Sequence, residues 1–287
     1  MSSRTKNWAL DSFNRWSTGF IVLLLTVSGC ASPSPTVKAP AVVPVKVLTV
    51  SGSGSTTPVL EAIKPAFEAD TPGYRLEVFA GTGTNGAMKG LLEGTLDLVA
   101  MARLPKPEET TQNVKFILLG QGSQAVLAHP NVGVSNLTSA QVAAIFSGEI
   151  TTWKQVGGPD NEIVLYVRDE GDSTTETLRK NIIHDTPFPE RTARVLTSQN
   201  AMQMAVAGTP WSIGIGTLPA VVAVGAKVKP VALDGVAPSE PSYRMTSPLG
   251  IGYLAKRQSD VQPLINWLSS ERGRAKLKAL EIFVPSS

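Results

Sequence analysis

Residues 163–180 read IVLYVRDEGDSTTETLRK, and the reading of this stretch decides the fold class. The apolar run 163–167 has the length and composition of a buried strand. It ends in Arg168, and residues 169–172 make a short turn. Ser173, Thr174 and Thr175 then open a helical pattern that runs to about Lys180. A strand that passes through an arginine and a tight turn into a hydroxyl-rich helix start has the layout of an oxyanion site. The first amides of a helix lack intrahelical partners and the helix dipole is positive there, so negative charge is attracted. Arg168 adds a permanent charge on a planar fork that fits tetrahedral oxyanions. The same residues also fit a plainer reading, with Ser173-x-x-Glu176 as a capping box and Arg168 in a surface ion pair.

Two segments nearer the amino end share the design. Residues 45–50 read as a strand, followed by SGSGSTTP at 51–58 and a helical run to about Glu68 with apolar Val59, Leu60, Ile63, Ala66 and Phe67. Pro58 suits the first helical turn and Thr57 the N-cap. Residues 76–80 read as a second strand, leading through Gly81-Thr82-Gly83-Thr84-Asn85-Gly86 into a helix to about Leu92. Glycine lets backbone amides approach a ligand closely, and hydroxyls add donors. Three such loops meeting at one cleft would form an anion site. Gly81, Gly83 and Gly86 also match G-x-G-x-x-G, but the dinucleotide fingerprint needs an acid at the end of the next strand. Residues 97–101 carry Asp97 at the start and Arg103 beyond the end, so the match is not read as a nucleotide site.

The order of strands and helices, 45–50, 58–68, 76–80, 85–92 and 96–101, predicts an α/β fold with a parallel sheet. Residues 115–119 and 124–129 read as two further strands. Thr138, Gln141 and Gly148 have the spacing of an N-cap, a capping box and a stop around a helix at 138–147. A helix is expected at 201–207, a turn or strand at 212–216, strands at 228–233 and 250–256, and helices at 260–268 and 271–279. Trp153, Trp211 and Trp267 are read as packing residues.

The amino end predicts export. Arg4, Lys6 and Arg15 precede the short apolar run 20–27, which is too short to span a bilayer comfortably. Val27-Ser28-Gly29-Cys30 resembles the bacterial lipobox, which implies a signal peptide at 1–29, lipidation of Cys30 and a Pro-rich tether at 30–45. One acyl chain anchors weakly, so several are expected. Cys30 is the only cysteine, which excludes a disulfide framework, a thiol nucleophile and a cysteine metal site. Residues 1–29 hold three basic side chains and one acid, leaving 23 basic and 22 acidic ones beyond them. That balance argues against a nucleic-acid surface. The two histidines, His129 and His184, have no partner at metal-ligand spacing, and no G-x-S-x-G elbow occurs, so neither a metal, a cofactor nor hydrolase chemistry is expected.

Thr138-Ser139-Ala140-Gln141, Ile145-Phe146-Ser147-Gly148-Glu149-Ile150-Thr151-Thr152-Trp153 and Val156-Gly157-Gly158 together resemble a block of the phosphate-binding proteins of bacterial ABC importers (PstS-like proteins). The glycine–hydroxyl loops, Trp267-Leu268-Ser269-Ser270-Glu271-Arg272-Gly273 and Phe283-Val284-Pro285 follow the same order, so the resemblance covers roughly residues 46–285. It implies a two-lobed type II periplasmic binding fold, each lobe a mixed sheet flanked by helices, closing on ligand about a hinge. Lobe one would be 46–125 plus 247–287 and lobe two 126–246. Ligand contacts would fall on Ser53, Ser55, Thr56 and Thr57, on Gly81, Thr82, Gly83 and Thr84, and on Arg168, Ser173, Thr174 and Thr175. The implied protein is a lipid-anchored monomer facing the periplasm or exterior. It would perform no catalysis and would deliver phosphate or a related oxyanion to an ABC permease. The alternative is a retained fold serving envelope sensing, adhesion or assembly. Two positions depart from the pattern: Met101-Ala102-Arg103 lacks a hydroxyl or carboxylate, and Asp172 stands where glycine is expected. A carboxylate beside an anion must share the ligand's proton, pair with Arg168, or face water.

Overall fold

The computed structural model describes residues 44–284. Cys30, and with it the expected lipid anchor, lies outside the described residues. The chain begins with β1 (Lys46–Gly52), α1 (Thr57–Asp70), β2 (Tyr74–Val78), α2 (Gly83–Glu93), β3 (Leu98–Met101), α3 (Pro107–Thr111) and β4 (Val114–Ala128). It continues with β5 (Asn136–Leu137), α4 (Ser139–Ser147), β6 (Val164–Arg168), α5 (Ser173–Leu178), β7 (Arg194–Leu196), α6 (Gln199–Gly208), β8 (Ser212–Thr217) and α7 (Leu218–Val224). The last elements are β9 (Lys229–Leu233), β10 (Thr246–Leu254), α8 (Gln258–Ser269), α9 (Glu271–Ala279) and β11 (Ile282–Phe283).

The main sheet path is β2-β1-β3-β10-β4-β8-β6-β7. β1 pairs parallel with β2 and β3, and β6 pairs parallel with β8 and β7, while β10 and β4 run antiparallel to their neighbours. The sheet is therefore mixed. Strand alternation sends successive side chains to opposite faces, and both faces are covered. In β3, Leu98 and Ala100 join a core built with α1, α8 and α9, whereas Val99 and Met101 meet Ala87, Met88 and Leu91 of α2. In β4, Val126 and Ala128 enter a core with α4 residues Val142, Ile145 and Phe146, whereas Ala125 and Leu127 pack on Met202 and Val206 of α6.

The two large cores draw on different parts of the chain. One holds residues from Leu48 to Leu119 together with Leu249 to Ile282. The other holds Val126 to Met245. The chain passes between them within β4 and again just before Leu249. Trp267 is a packing residue of the first core, edge-on to Phe67 at 5.9 Å with its indole N–H on Asp70. Trp153 is fully buried in the second, its indole N–H donating to the Trp211 carbonyl at 2.7 Å.

The local helix signals appear as read. Thr138 accepts from the Gln141 amide while the Gln141 side chain accepts from the Thr138 amide, and Gly148 closes α4 in the left-handed conformation. Elsewhere the structure differs from the sequence expectation. The two strands expected at 115–119 and 124–129 are one 15-residue strand, β4. Gly120, Gln121, Gly122 and Ser123 break the apolar pattern, but all four continue the pairing with β10. The helix expected to run to about Lys180 stops at Leu178 and gives way to a π-helical turn at Arg179–Ile183. α1 takes Thr56, not Thr57, as its N-cap, with no side-chain cap hydrogen bond.

Candidate functional site

A cleft of about 440 Å³ is lined by Ser53, Gly54, Thr57 and Pro58 after β1, Gly81 to Gly86 after β2, and Arg103 after β3. Its other wall is Arg168, Asp169, Gly171, Asp172, Ser173 and Glu176 after β6, and Thr197 to Asn200 after β7. Every one of these segments follows the carboxyl end of a strand in the parallel parts of the sheet, the place where open α/β sheets bind ligands.

The three loops meet because two of them touch through glycine. A β-carbon on Gly81 would lie 2.8 Å from the Gly52 carbonyl, and one on Gly52, at φ +146°, would lie 2.1 Å from the Ala100 carbonyl. No other residue fits at either position, so the chain ends of β1, β2 and β3 close on one another.

Not all the expected contacts reach the cleft. Ser53, Thr57, Gly81, Thr82, Gly83, Thr84, Arg168, Asp172 and Ser173 line it, while Ser55, Thr56, Thr174 and Thr175 stand behind it. Those four hydroxyls serve the scaffold. Thr56 donates to the Met101 carbonyl at 2.8 Å, Ser55 Oγ lies 2.6 Å from Thr217 Oγ1, Thr174 Oγ1 donates to Asp172, and Thr175 Oγ1 donates to the Arg168 carbonyl at 3.3 Å. Four amides of the first loop are also taken up, that of Gly54 not among them. Ser53 N donates to Ala100 O, Thr56 N and Thr57 N to Ser53 O, and Ser55 N to Ser53 Oγ. The second loop is different: it is largely exposed, and Thr82 makes no side-chain cap at the start of α2. The uncapped first turn of α2 therefore keeps free N–H groups.

Arg168 is the charged centre. It is 6% exposed, and its Nη2 donates to Asp172 Oδ2 at 2.7 Å and to the Thr197 carbonyl at 3.4 Å. Its Nε and Nη1 are buried and have no hydrogen-bond partner among the described residues. Leaving buried guanidinium donors unpaired is costly, so a ligand oxygen at this point would recover that energy. Both oxygens of Asp172 have partners: Oδ2 holds Arg168, and Oδ1 accepts from the Thr174 amide at 2.9 Å and from its hydroxyl. It caps α5, so the N-cap is Asp172 and not Ser173, and the Thr174 amide is not free for an anion.

Three residues outside the expected ligand set also line the cleft. Arg103 reaches the cleft from β3, held by Glu109 through two hydrogen bonds of 2.6 and 2.8 Å and by Asn85 at 2.9 Å. This guanidinium holds the Glu109 carboxyl below its usual range. Glu176 stands at the cleft on α5, where burial pushes its carboxyl pKa up, with Asp172 adding and Arg103 and Lys106 opposing. Gln199 opens α6. The one local signal for it was Ser198, which caps Ala201.

A family model for the PBP superfamily domain matches residues 31–272. The chain belongs to this family. The phosphate-binding protein PstS of Bacillus subtilis (strain 168) is 27% identical over 195 residues, 67% of this chain and 63% of its own length. The phosphate-binding protein PstS of Borreliella burgdorferi is 23% identical over 175 residues, 59% of this chain and 62% of its own. The chain thus spans less than two thirds of these curated relatives. A crystal structure from Clostridium perfringens, described as a phosphate ABC transporter substrate-binding protein with bound phosphate, superposes with a TM-score of 0.73 at 24% identity, covering 84% of this chain and 100% of that one. The PBP-superfamily mixed sheet with flanking helices is the α/β fold that the resemblance implied. No helix among the described residues is long and apolar enough to cross a membrane.

Proposed function

We propose that the protein is an extracytoplasmic solute-binding protein that captures phosphate, or a related oxyanion, and hands it to an ABC permease. The observation that carries this reading is Arg168, a buried cation with two unpartnered donors in the wall of the cleft. The phosphate-binding relatives support the same ligand class. The cleft is read as the space between two lobes, 46–125 plus 247–287 and 126–246, each organised round one of the large cores. Lobe closure would bring the second-loop amides and the Ser53 hydroxyl onto an anion held by Arg168. The reading assigns no catalytic step, since a solute-binding protein needs only reversible capture. Attachment to the membrane is assigned to a lipid on Cys30, with the protein acting as a monomer.

The test is thermal unfolding of the 46–287 domain with phosphate, sulfate, arsenate, molybdate and phosphonates. A ligand present at a hundredfold excess over its dissociation constant adds about 2.7 kcal/mol, a rise of several degrees in the midpoint. No shift with any oxyanion would refute capture.

A further inference from the structure

Gln199 is 4% exposed in the wall of the cleft, yet neither Oε1 nor Nε2 has a hydrogen-bond partner among the described residues. A buried polar atom without a partner is unfavourable, so the amide is kept at the expense of stability. Its surroundings are shaped around it. A β-carbon on Gly54 would lie 3.0 Å from Gln199 Cβ, and one on Gly216 would lie 2.4 Å from Nε2. Two glycines from distant parts of the chain thus leave just the room the side chain takes.

The backbone segment that carries Gln199 is tied to the charged centre. Ser198 Oγ accepts from Ala201 N and fixes the start of α6, while the Thr197 carbonyl accepts from Arg168 Nη2 at 3.4 Å. Gln203, one turn further along, also leaves its amide nitrogen unpaired, but it does not line the cleft. Of the residues lining the cleft, Gln199 is thus the one whose side-chain amide is wholly unpartnered among the described residues, with one acceptor and two N–H donors to offer.

Resting on the oxyanion reading, we propose that Gln199 is a ligand contact and a determinant of specificity: Nε2 donates to one ligand oxygen while Oε1 accepts from a ligand hydroxyl. Asp172 is already committed to Arg168 and to the start of α5, which leaves the Gln199 carbonyl as an acceptor with no other partner among the described residues. A neutral carbonyl gains a hydrogen bond from a protonated oxyanion such as hydrogen phosphate. Against fully ionised sulfate it sets a lone pair facing an oxygen, which is unfavourable. The site thereby prefers a protonated ligand without placing a second negative charge in the cleft.

The experiment compares Gln199→Met with wild type, using calorimetry with phosphate and sulfate and the unfolding midpoint without ligand, and carries Arg168→Ala alongside. Methionine keeps the length and removes both polar atoms. Loss of a ligand hydrogen bond should weaken phosphate binding about tenfold and sulfate binding less, with an unliganded midpoint equal to or above wild type. Unchanged phosphate affinity in Gln199→Met, with binding lost in Arg168→Ala, overturns the role of Gln199 and leaves oxyanion capture standing. A fall in both affinity and the unliganded midpoint assigns the amide to packing and also overturns it. If wild type binds no oxyanion, the function itself fails, and this inference with it.

Discussion

Arg168 and Asp172 are bound to each other across the turn between β6 and α5, Nη2 to Oδ2 at 2.7 Å, and the pairing leaves Nε and Nη1 of the arginine unspent. The carboxylate holds the guanidinium from one side, orienting its other edge. Of the three situations open to Asp172 in the sequence, the structure has the one in which it pairs with Arg168.

Asp172→Asn should therefore leave the ratio of phosphate to sulfate affinity unchanged. It should lower the stability of the unliganded protein by about 2 kcal/mol, the scale of a hydrogen bond to a charged group. Titration of both anions into wild type and variant, with denaturant unfolding of each, checks the two halves of the claim. A change in the anion ratio would return the discriminating role to this carboxylate.

Replacement of Arg168 bears on the centre itself. Arg168→Ala should cost about 2–4 kcal/mol of oxyanion binding, the range for a desolvated, charge-assisted contact. Arg168→Lys should recover only part, because a single ammonium replaces a planar fork. Equal affinity in Arg168→Ala and wild type would move the site elsewhere.

The pair Arg103–Glu109 gives a pH dependence. Glu109 is 5% exposed, and the Arg103 hydrogen bonds lower its pKa from the ordinary 4.5. A lowered folded-state value means that the unfolded chain binds the proton first. The stabilisation is then complete above 4.5 and is lost as pH falls through the folded-state value. Unfolding midpoints followed below pH 4.5 should drop less steeply in Glu109→Gln than in wild type. Parallel curves would show that this pair does not contribute.

Cys30→Ala should abolish lipid attachment and leave the precursor uncleaved at that position, since lipoprotein processing needs the thiol. Labelling with a fatty-acid analogue and sizing of the membrane fraction read this out. A normally processed, membrane-extracted product from the variant would remove the lipobox reading.

What could be seen in the sequence was what short-range chemistry determines. Thr138, Gln141 and Gly148 define α4 within one turn at each end, and the Gly, Ser and Thr loops announce their own turns. Long-range contacts decided the rest. Gly120 to Ser123 look like a break until β10 pairs with them. Ser55, Thr56, Thr174 and Thr175 look like ligand donors until Thr217, Met101, Asp172 and Arg168 take up their hydroxyls. Gln199 carries no local mark of burial, because Gly54 and Gly216 that enclose it are remote in the chain.

The placement of β10 has a consequence for how the molecule is assembled. This strand sits between β3 and β4, matching Ile251 to Ala100 and to Ile117. A chain threaded amino end first therefore presents β3 and β4 with an unfilled gap until residues 246–254 emerge. Such a distant pairing makes for slow folding, since loop closure must precede any gain from the contact. The sheet is completed only when β10, followed by α8 and α9, closes it. A fragment ending before Thr246 should stay unfolded and prone to aggregate.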